Sequence, residues 1–526
     1  MARVSRANLL IGCITGGALL LRLPGLSESL WFDEIWSTRV ILGSVASTVR
    51  MLSADLHPPV FNLLMFFWIR IFGDSEISVR VLPLVCGVAT VVLTARLAID
   101  YGWRSAAPVA ALVVAISPAH IWYSQESRAY SFLILLVVAS VVVFHRIRET
   151  HETRWYVAYA ALAAIMVFTQ YFAAVYVAAM ALLALSDPRA RLRMWSIGAS
   201  IALVLALFLA VKWKWGAVPT SSGYLKPFTT ADLWKLPFEW LLIGNVLRFP
   251  DQRTTAVRFA VLAVQMAVLF LSVRGLLVSR HRIELALLLL GLPLGLLTIG
   301  LAGADHYYID RTGITILPFF AVTIGIGVAS LPQTALRASV VAVICGFGTV
   351  VLINYYAKSD QWTVYKPNPD WRTVAGRLTD EQTRSGRPVV VVSTAPALEL
   401  RYYNAGFGPQ QLDGLPAAAP SSNRGTVREW LKSVFVVPVD PHRGETGRVY
   451  EMYDADVSVV RRVFQREHAA EVFLVQMDHW PGSSDALIAA LTADPGFSVE
   501  PVLEAKAIRL LRIRQNVSTA RTSRNG

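Results

Sequence analysis

At 526 residues the chain could hold several soluble domains, but 55% of it is hydrophobic and only 16% is charged, which excludes an ordinary soluble enzyme and points to a polytopic membrane protein. The net charge of +13 does not mark a nucleic-acid binder. Residues 357–526 are close to neutral, so nearly all of the excess sits in short loops between apolar runs, where the positive-inside rule places Lys and Arg.

Taken in order, span 1 covers about Leu9–Leu23, with Arg3 and Arg6 holding its start in the cytoplasm. No small-residue cleavage site follows, so a retained signal anchor is expected. Residues 25–78 form the first outer loop. Within it Val45–Leu56 reads as a short amphipathic helix. Val60–Phe72 is apolar but short of the roughly 20 residues needed to cross, so it is placed in the interface plane, its start favoured by Pro58 and Pro59. Letting it cross would put the Arg-rich loops outside.

Span 2 is then about Val79–Ile99 and span 3 Ala106–Ile121, which emerges at WYSQESRAY (122–130). Span 4 returns through Phe132–Phe144 to the basic loop HRIRETHETR (145–154). Spans 5 and 6 form a hairpin around Thr169–Phe172, and span 7 is about Ile197–Val211. A second outer loop, Lys212–Arg253, precedes span 8, about Ala256–Val273. Span 9 ends at GADHYYIDR (303–311), span 10 is about Thr312–Ser330 and span 11 about Ala338–Tyr356. This predicts about 11 transmembrane helices, N-terminus in and C-terminus out, with the Arg clusters in the inner loops. The three cysteines, Cys13, Cys86 and Cys345, all fall within spans. Disulfides therefore have no part in the polar region, and no spacing resembles a metal site.

From 357 the composition is that of a soluble protein. Arg387–Ser393, Val434–Val439 and Val472–Val475 read as buried strands. They alternate with helical stretches at Trp371–Leu378, Ser458–His468 and Ser484–Leu491. The expected organisation is a membrane domain over 1–356, an extracytoplasmic α/β domain over 357–515, and a disordered tail over 516–526.

Four groups of ionisable residues fall on the predicted outer side: Asp33 and Glu34 with Arg39; His57; Glu126 with Arg128; and Asp305, His306, Asp310 and Arg311. Each has a plainer reading, as a helix cap, a turn residue, a local ion pair or an interfacial anchor. Their convergence on one face favours function, because ionisable residues at a membrane mark substrate paths or catalysis. Glycosyl transfer from a lipid-phosphate sugar would use such a set. It needs a base for the acceptor hydroxyl, positive charge for the departing phosphate, and aromatic faces for sugar and isoprenoid.

The ordered motifs carry a resemblance. Asp33-Glu34, His57-Pro58-Pro59 with Val60 and Phe61, FGDSEISVR (72–80) before Leu82-Pro83, and Ser117-Pro118 before WYSQESRAY together resemble the GT-C polyprenyl-phosphate-dependent glycosyltransferases. Within them the chain is most similar to the bacterial relatives of protein O-mannosyltransferases and of the lipid A aminoarabinose transferase. The resemblance covers residues 20–135 well and extends more loosely to the span after Arg311.

It implies that Asp33 is the catalytic carboxylate, with Glu34 or Glu126 in support. His57, Arg128 and Arg311 would face the donor phosphate, with Arg39 a further candidate, and Trp31, Tyr130, His306 and Tyr307 would line the substrate. The implied activity is an inverting hexosyl- or pentosyltransferase that moves one sugar from a polyprenyl-phosphate donor to a glycan, lipid or protein acceptor. The implied location is the bacterial plasma membrane. No cofactor is required; a divalent metal beside Asp33 and Glu34 is compatible with the pair but demanded by nothing. The alternative from another class is a polyprenyl-linked lipid or sugar transporter or flippase. Against it, no internal repeat is visible and the charges lie at one face.

Overall fold

A computed structural model describes residues 6–39, 57–214, 226–236, 255–303, 310–357, 369–394, 398–404, 406–410, 446–451, 456–477 and 485–516. The chain divides into two compact units. One comprises Met1–Ser27 and Ile41–Ala357 with Thr363–Tyr365; the other comprises Glu28–Val40 with Lys358–Trp362 and Lys366–Gly526. Glu28–Val40, which the sequence assigns to the first outer loop of the membrane domain, thus groups with the C-terminal unit. The physical reason is a set of hydrogen bonds that no local pattern announces.

The first unit is helical. It begins with α1 (Arg6–Arg22). The helix α2 (Phe32–Arg39) belongs to the second unit. α3 (Val60–Phe72) covers the same 13 residues as the short helix predicted there. It stops at Gly73, whose φ of 81° suits glycine, and whose N–H closes on the Ile69 carbonyl at 2.8 Å. α4 (Glu76–Asp100) starts at Ser75, whose hydroxyl accepts from the Ser78 N–H.

Span 3 is not continuous, as the sequence had it. It breaks into α5 (Ala107–Ile116) and α6 (Pro118–Ser124), bent by 66°. Pro118 has no N–H to offer the Val114 carbonyl, and Ser117 caps the new helix by accepting from the His120 N–H at 3.4 Å.

There follow α7 (Tyr130–Thr150), α8 (Thr153–Val167), α9 (Ala174–Leu183), α10 (Arg191–Lys214) and the short α11 (Thr230–Lys235). α12 (Thr255–Val278), α13 (Arg282–Leu301), α14 (Leu317–Ala329) and α15 (Thr334–Ala357) complete the unit. Among the described residues seven helices are long and apolar enough to cross a membrane, or eight with the bent pair counted as one span. The other three of the eleven expected spans are α1 and the helices of the 153–186 hairpin, all under 18 residues. The Val45–Leu56 helix and most of the Lys212–Arg253 loop lie outside the described residues.

The bundle closes on α14, every residue of which is buried, as expected of a helix apolar all round. Its neighbour α12 crosses it backbone to backbone. A Cβ on Gly275 would stand 1.9 Å from the Thr323 carbonyl oxygen, and one on Gly327 would stand 2.0 Å from that of Leu271. Ser272 and Thr323 share a hydrogen bond of 2.7 Å beside the crossing. Small residues let membrane helices approach this closely. Gly275→Leu is therefore expected to cost about 3 kcal/mol or more by overpacking. Gly346→Ala, with nothing within 4 Å of the added carbon, should be neutral. Thermal unfolding of the two variants in detergent checks the pair.

The second unit carries a mixed sheet of β1 (Val389–Ser393), β2 (Phe407–Gln410), β3 (Gly447–Glu451), β4 (Glu471–Met477), β5 (Phe497–Ala505) and β6 (Ile508–Gln515), in the order β2-β3-β1-β4-β6-β5. The first four strands run parallel, while β6 pairs antiparallel with both β4 and β5. Both faces of β1 and β4 are covered, which explains their unbroken apolar runs. α16 (Trp371–Ser385) and α17 (Leu398–Tyr403) join α18 (Val457–Glu467) and α19 (Asp485–Ala493) as the helices of this unit.

The predicted strands at 387–393 and 472–475 and the three predicted helices are present. Val434–Val439 and the tail after Asn516 lie outside the described residues. The closing β5–β6 hairpin was not predicted, because its outward-facing residues dilute the apolar pattern. At the start of α16 the Asp370 carboxyl is held below its usual range. Burial opposes this, but hydrogen bonds from the Thr373 side chain and backbone and from Ser29 outweigh it.

Candidate active site

In the first unit three predicted outer segments meet in one cleft. Tyr130 and Leu133 come from the start of α7, and Gln170, Phe172, Ala173 and Tyr176 from the 153–186 hairpin. Leu292 of α13 and Arg311, Thr312 and Thr315 from the turn before α14 complete the lining. The Arg311 guanidinium carbon lies 5.4 Å from the centre of the Tyr130 ring, within cation–π range. Tyr130 in turn packs on Tyr123, ring centres 4.8 Å apart. Tyr176 and Thr315 share a hydrogen bond of 2.8 Å on the cleft wall.

His57, half-buried, precedes α3 at the same end of the unit. The Val60 N–H donates to the Phe168 carbonyl at 3.1 Å, and Phe61 packs on Phe132 with centroids 6.3 Å apart. The His57-Pro58-Pro59 turn is thereby tied both to the hairpin tip and to the first turn of α7. Glu126 and Arg128 are buried just before α7, with the Arg128 N–H on the Glu126 carbonyl at 2.7 Å.

Beneath this end Arg22 is wholly buried. Its Nη1 donates to the carbonyls of Ala18 (2.8 Å) and Ala115 (3.2 Å), its Nη2 to Val114 (3.4 Å), and its Nε to Ser124 Oγ (3.1 Å). His120 Nδ1 stands 2.7 Å from Nη2. An arginine can only donate, so that ring nitrogen accepts and His120 is neutral. The guanidinium supplies the donors that the break at Pro118 removes.

The opposite end of the same helices holds a separate polar cluster. Glu284 accepts from the Tyr101 hydroxyl (3.0 Å) and from Arg148 (3.3 Å) and lies 2.8 Å from His145 Nε2. Burial first, then the Glu284 carboxylate, pushes the Tyr101 phenol well above its usual range. α7, at about 1.5 Å per residue, places these two ends roughly 30 Å apart, the thickness of a bilayer core.

In the second unit Asp33 and Glu34 open α2. They differ. Glu34 is fully buried and accepts from the Trp31 N–H at 3.4 Å, so it caps its own helix. Asp33 is only half-buried and lies in the first turn, where the helix dipole favours a negative charge. Trp31, also buried, precedes them. The Arg39 side chain, His306 and Tyr307 lie outside the described residues.

The sequence did not flag Gln170, Thr312 or Thr315, nor the Arg22–His120 pair. The only available signal was a polar residue at the tip of an outer hairpin. Among the described residues no group of three His, Cys, Asp or Glu could hold a metal ion.

Residues 56–215 match the profile of the family described as dolichyl-phosphate-mannose-protein mannosyltransferase. No curated protein matches the chain. Among solved structures the chain is similar to ArnT from Cupriavidus metallidurans in the apo state, with a TM-score of 0.54 at 12% identity over 97% of this chain and 98% of that one. It is similar also to the same enzyme bound to undecaprenyl phosphate, with a TM-score of 0.52 at 11% identity over the same shares. The chain thus shares the ArnT fold over nearly its whole length, and the family match covers the segments that carry His57, Glu126, Arg128 and Tyr130.

Proposed function

We propose that this protein is an inverting glycosyltransferase that moves one sugar from a polyprenyl-phosphate donor to an extracytoplasmic acceptor. The observation that carries the proposal is the cleft of Arg311, Tyr130, Gln170 and Thr312 at one end of the helical unit. It offers a cation, an aromatic face and hydrogen-bonding groups where a lipid-borne phosphate sugar would present itself. Further support comes from the similar ArnT fold, one structure of which holds undecaprenyl phosphate.

In the proposed reaction the acceptor oxygen forms a bond to the anomeric carbon as the bond from that carbon to the phosphate oxygen breaks. The acceptor proton passes to Asp33. The polyprenyl phosphate leaves as an anion that needs no acid, its charge met by His57, Arg128 and Arg311. Glu34, which caps α2, orients Asp33, and Glu126 shapes the polar wall. Arg-rich inner loops support an orientation with the N-terminus in the cytoplasm of a bacterium and the C-terminal domain outside the plasma membrane. The chemistry requires no cofactor.

The test uses purified protein, a panel of polyprenyl-phosphate sugars (mannose, arabinose, galactose, glucose) and a cell-envelope extract as acceptor. Release of polyprenyl phosphate with a labelled product of inverted anomeric configuration supports the proposal. Labelled lipid crossing proteoliposomes with no donor consumed would replace it by transport. Activity that persists in EDTA supports the cofactor-free scheme, whereas loss restored by Mg²⁺ or Mn²⁺ would assign a metal to the Asp33–Glu34 pair.

Arg311→Ala is expected to raise the donor KM about 10- to 100-fold, the worth of one charge-assisted hydrogen bond. Arg311→Lys should recover only part, having lost the planar fork. Steady-state kinetics against donor concentration decide the point, and an unchanged KM would remove Arg311 from the phosphate site.

A further inference from the structure

We infer that the C-terminal domain positions the carboxylate helix α2, so that Tyr403, Ser29 and Asp370 are positioning residues for Asp33. The catalytic part of this inference rests on the transferase proposal; the structural part does not.

Three consecutive residues ahead of α2 are each held by a different element of the C-terminal unit. Glu28 pairs with Lys506 at 2.7 Å, in the two-residue turn of the β5–β6 hairpin. Ser29 Oγ donates to Asp370 Oδ1 at 3.0 Å and accepts from the Arg372 N–H at 3.2 Å, which joins it to the N-terminus of α16. The Leu30 N–H donates to the Tyr403 hydroxyl at 2.7 Å, at the end of α17. α2 itself packs against α17.

The partners are mutually braced. The Asp370 N–H donates to the Lys506 carbonyl at 3.0 Å, and the Asp370 side chain caps α16 through the Thr373 N–H at 3.2 Å. Ser29 and Leu30 are buried, so water cannot readily replace these bonds. The Glu28–Lys506 pair is partly exposed and contributes little.

Residues more than 300 positions apart in sequence thus fix the backbone immediately before the helix that carries Asp33. A general base must sit within hydrogen-bond reach of the proton it takes, and a misplacement of about 1 Å can cost on the order of a hundredfold in rate. On this basis the domain acts in catalysis as the mount of the base, whatever its part in binding the acceptor.

The experiment compares full-length wild type, Tyr403→Phe, Ser29→Ala, their double variant, Ser29→Thr, and a control, Tyr450→Phe. The control removes a hydrogen bond to Glu467 elsewhere in the same domain. The double variant is expected to exchange the amides of residues 28–39 faster, with β4 and α7 unchanged. Its kcat should fall about 10- to 100-fold while the donor KM stays within about twofold, because the phosphate contacts of the proposed reaction, His57, Arg128 and Arg311, lie on other elements. Ser29→Thr should restore kcat in the single-site series, and Tyr450→Phe should leave it at wild-type level.

Unchanged exchange over residues 28–39 in the double variant would overturn the inference whether or not the protein is a transferase. So would faster exchange with kcat intact, or an equal loss of kcat in Tyr450→Phe, which would mean general softening of the domain. A wild type that consumes no donor sinks the transferase proposal, and the exchange result then still decides whether the C-terminal domain holds α2.

Discussion

Asp33→Asn is expected to lower kcat by about 10³-fold with donor binding retained. The substitution keeps the shape of the side chain and its place in the first turn of α2 but removes the carboxylate proposed to take the acceptor proton. General-base catalysis by a positioned side chain is worth roughly 10²–10⁴ in rate. In the proposed reaction the donor phosphate is met by His57, Arg128 and Arg311, so affinity for the polyprenyl-phosphate sugar should not move. Glu34→Gln should behave differently. Its carboxylate accepts from the Trp31 N–H, a role that a glutamine oxygen can fill, so only a small loss is expected. Donor consumption and product formation by wild type and both variants, with donor binding measured in parallel, form the check. Equal turnover in Asp33→Asn would dismiss Asp33 as the base and transfer the role to Glu126.

The second large effect concerns folding. Arg22→Leu is expected to destabilise the protein by on the order of 3 kcal/mol, although leucine suits a membrane helix better than arginine. The guanidinium is fully buried and serves the carbonyls of Val114 and Ala115 exposed by the break at Ser117-Pro118. It also serves His120 Nδ1 and Ser124 Oγ. Leucine would leave those acceptors without the guanidinium's donors, in a buried site where water does not readily replace them. Arg22→Lys should recover part of the loss, with three donors but no fork to span both carbonyls and the imidazole. Thermal unfolding in detergent distinguishes the cases. A leucine variant as stable as wild type would mean that the broken span satisfies its own carbonyls.

Much of the architecture was legible in the sequence, and the reason is locality. Hydropathy accumulates along one segment and needs no partner, so the helices from Glu76–Asp100 to Thr334–Ala357 lie where the apolar runs put them. Val60–Phe72 was readable as a short helix from its length and its two prolines alone. The buried strands Val389–Ser393 and Glu471–Met477 announced themselves by unbroken apolar runs. Arg128, Tyr130 and Arg311 were singled out because charges and aromatics beside spans need a reason.

Only the tertiary structure decided which of these residues lie together. It brought Gln170 and Thr312, unremarkable in the sequence, to the cleft of Tyr130 and Arg311. It split the third span and filled the break with Arg22, which in the sequence only ends the first apolar run. It separated Asp33 from Glu34 by giving Glu34 the cap. Above all it assigned Glu28–Val40 to the C-terminal unit, through Lys506, Asp370 and Tyr403. A buried polar group takes its partner from whatever the fold delivers, often hundreds of residues away. That choice leaves no periodicity in the chain, whereas an apolar run carries its own.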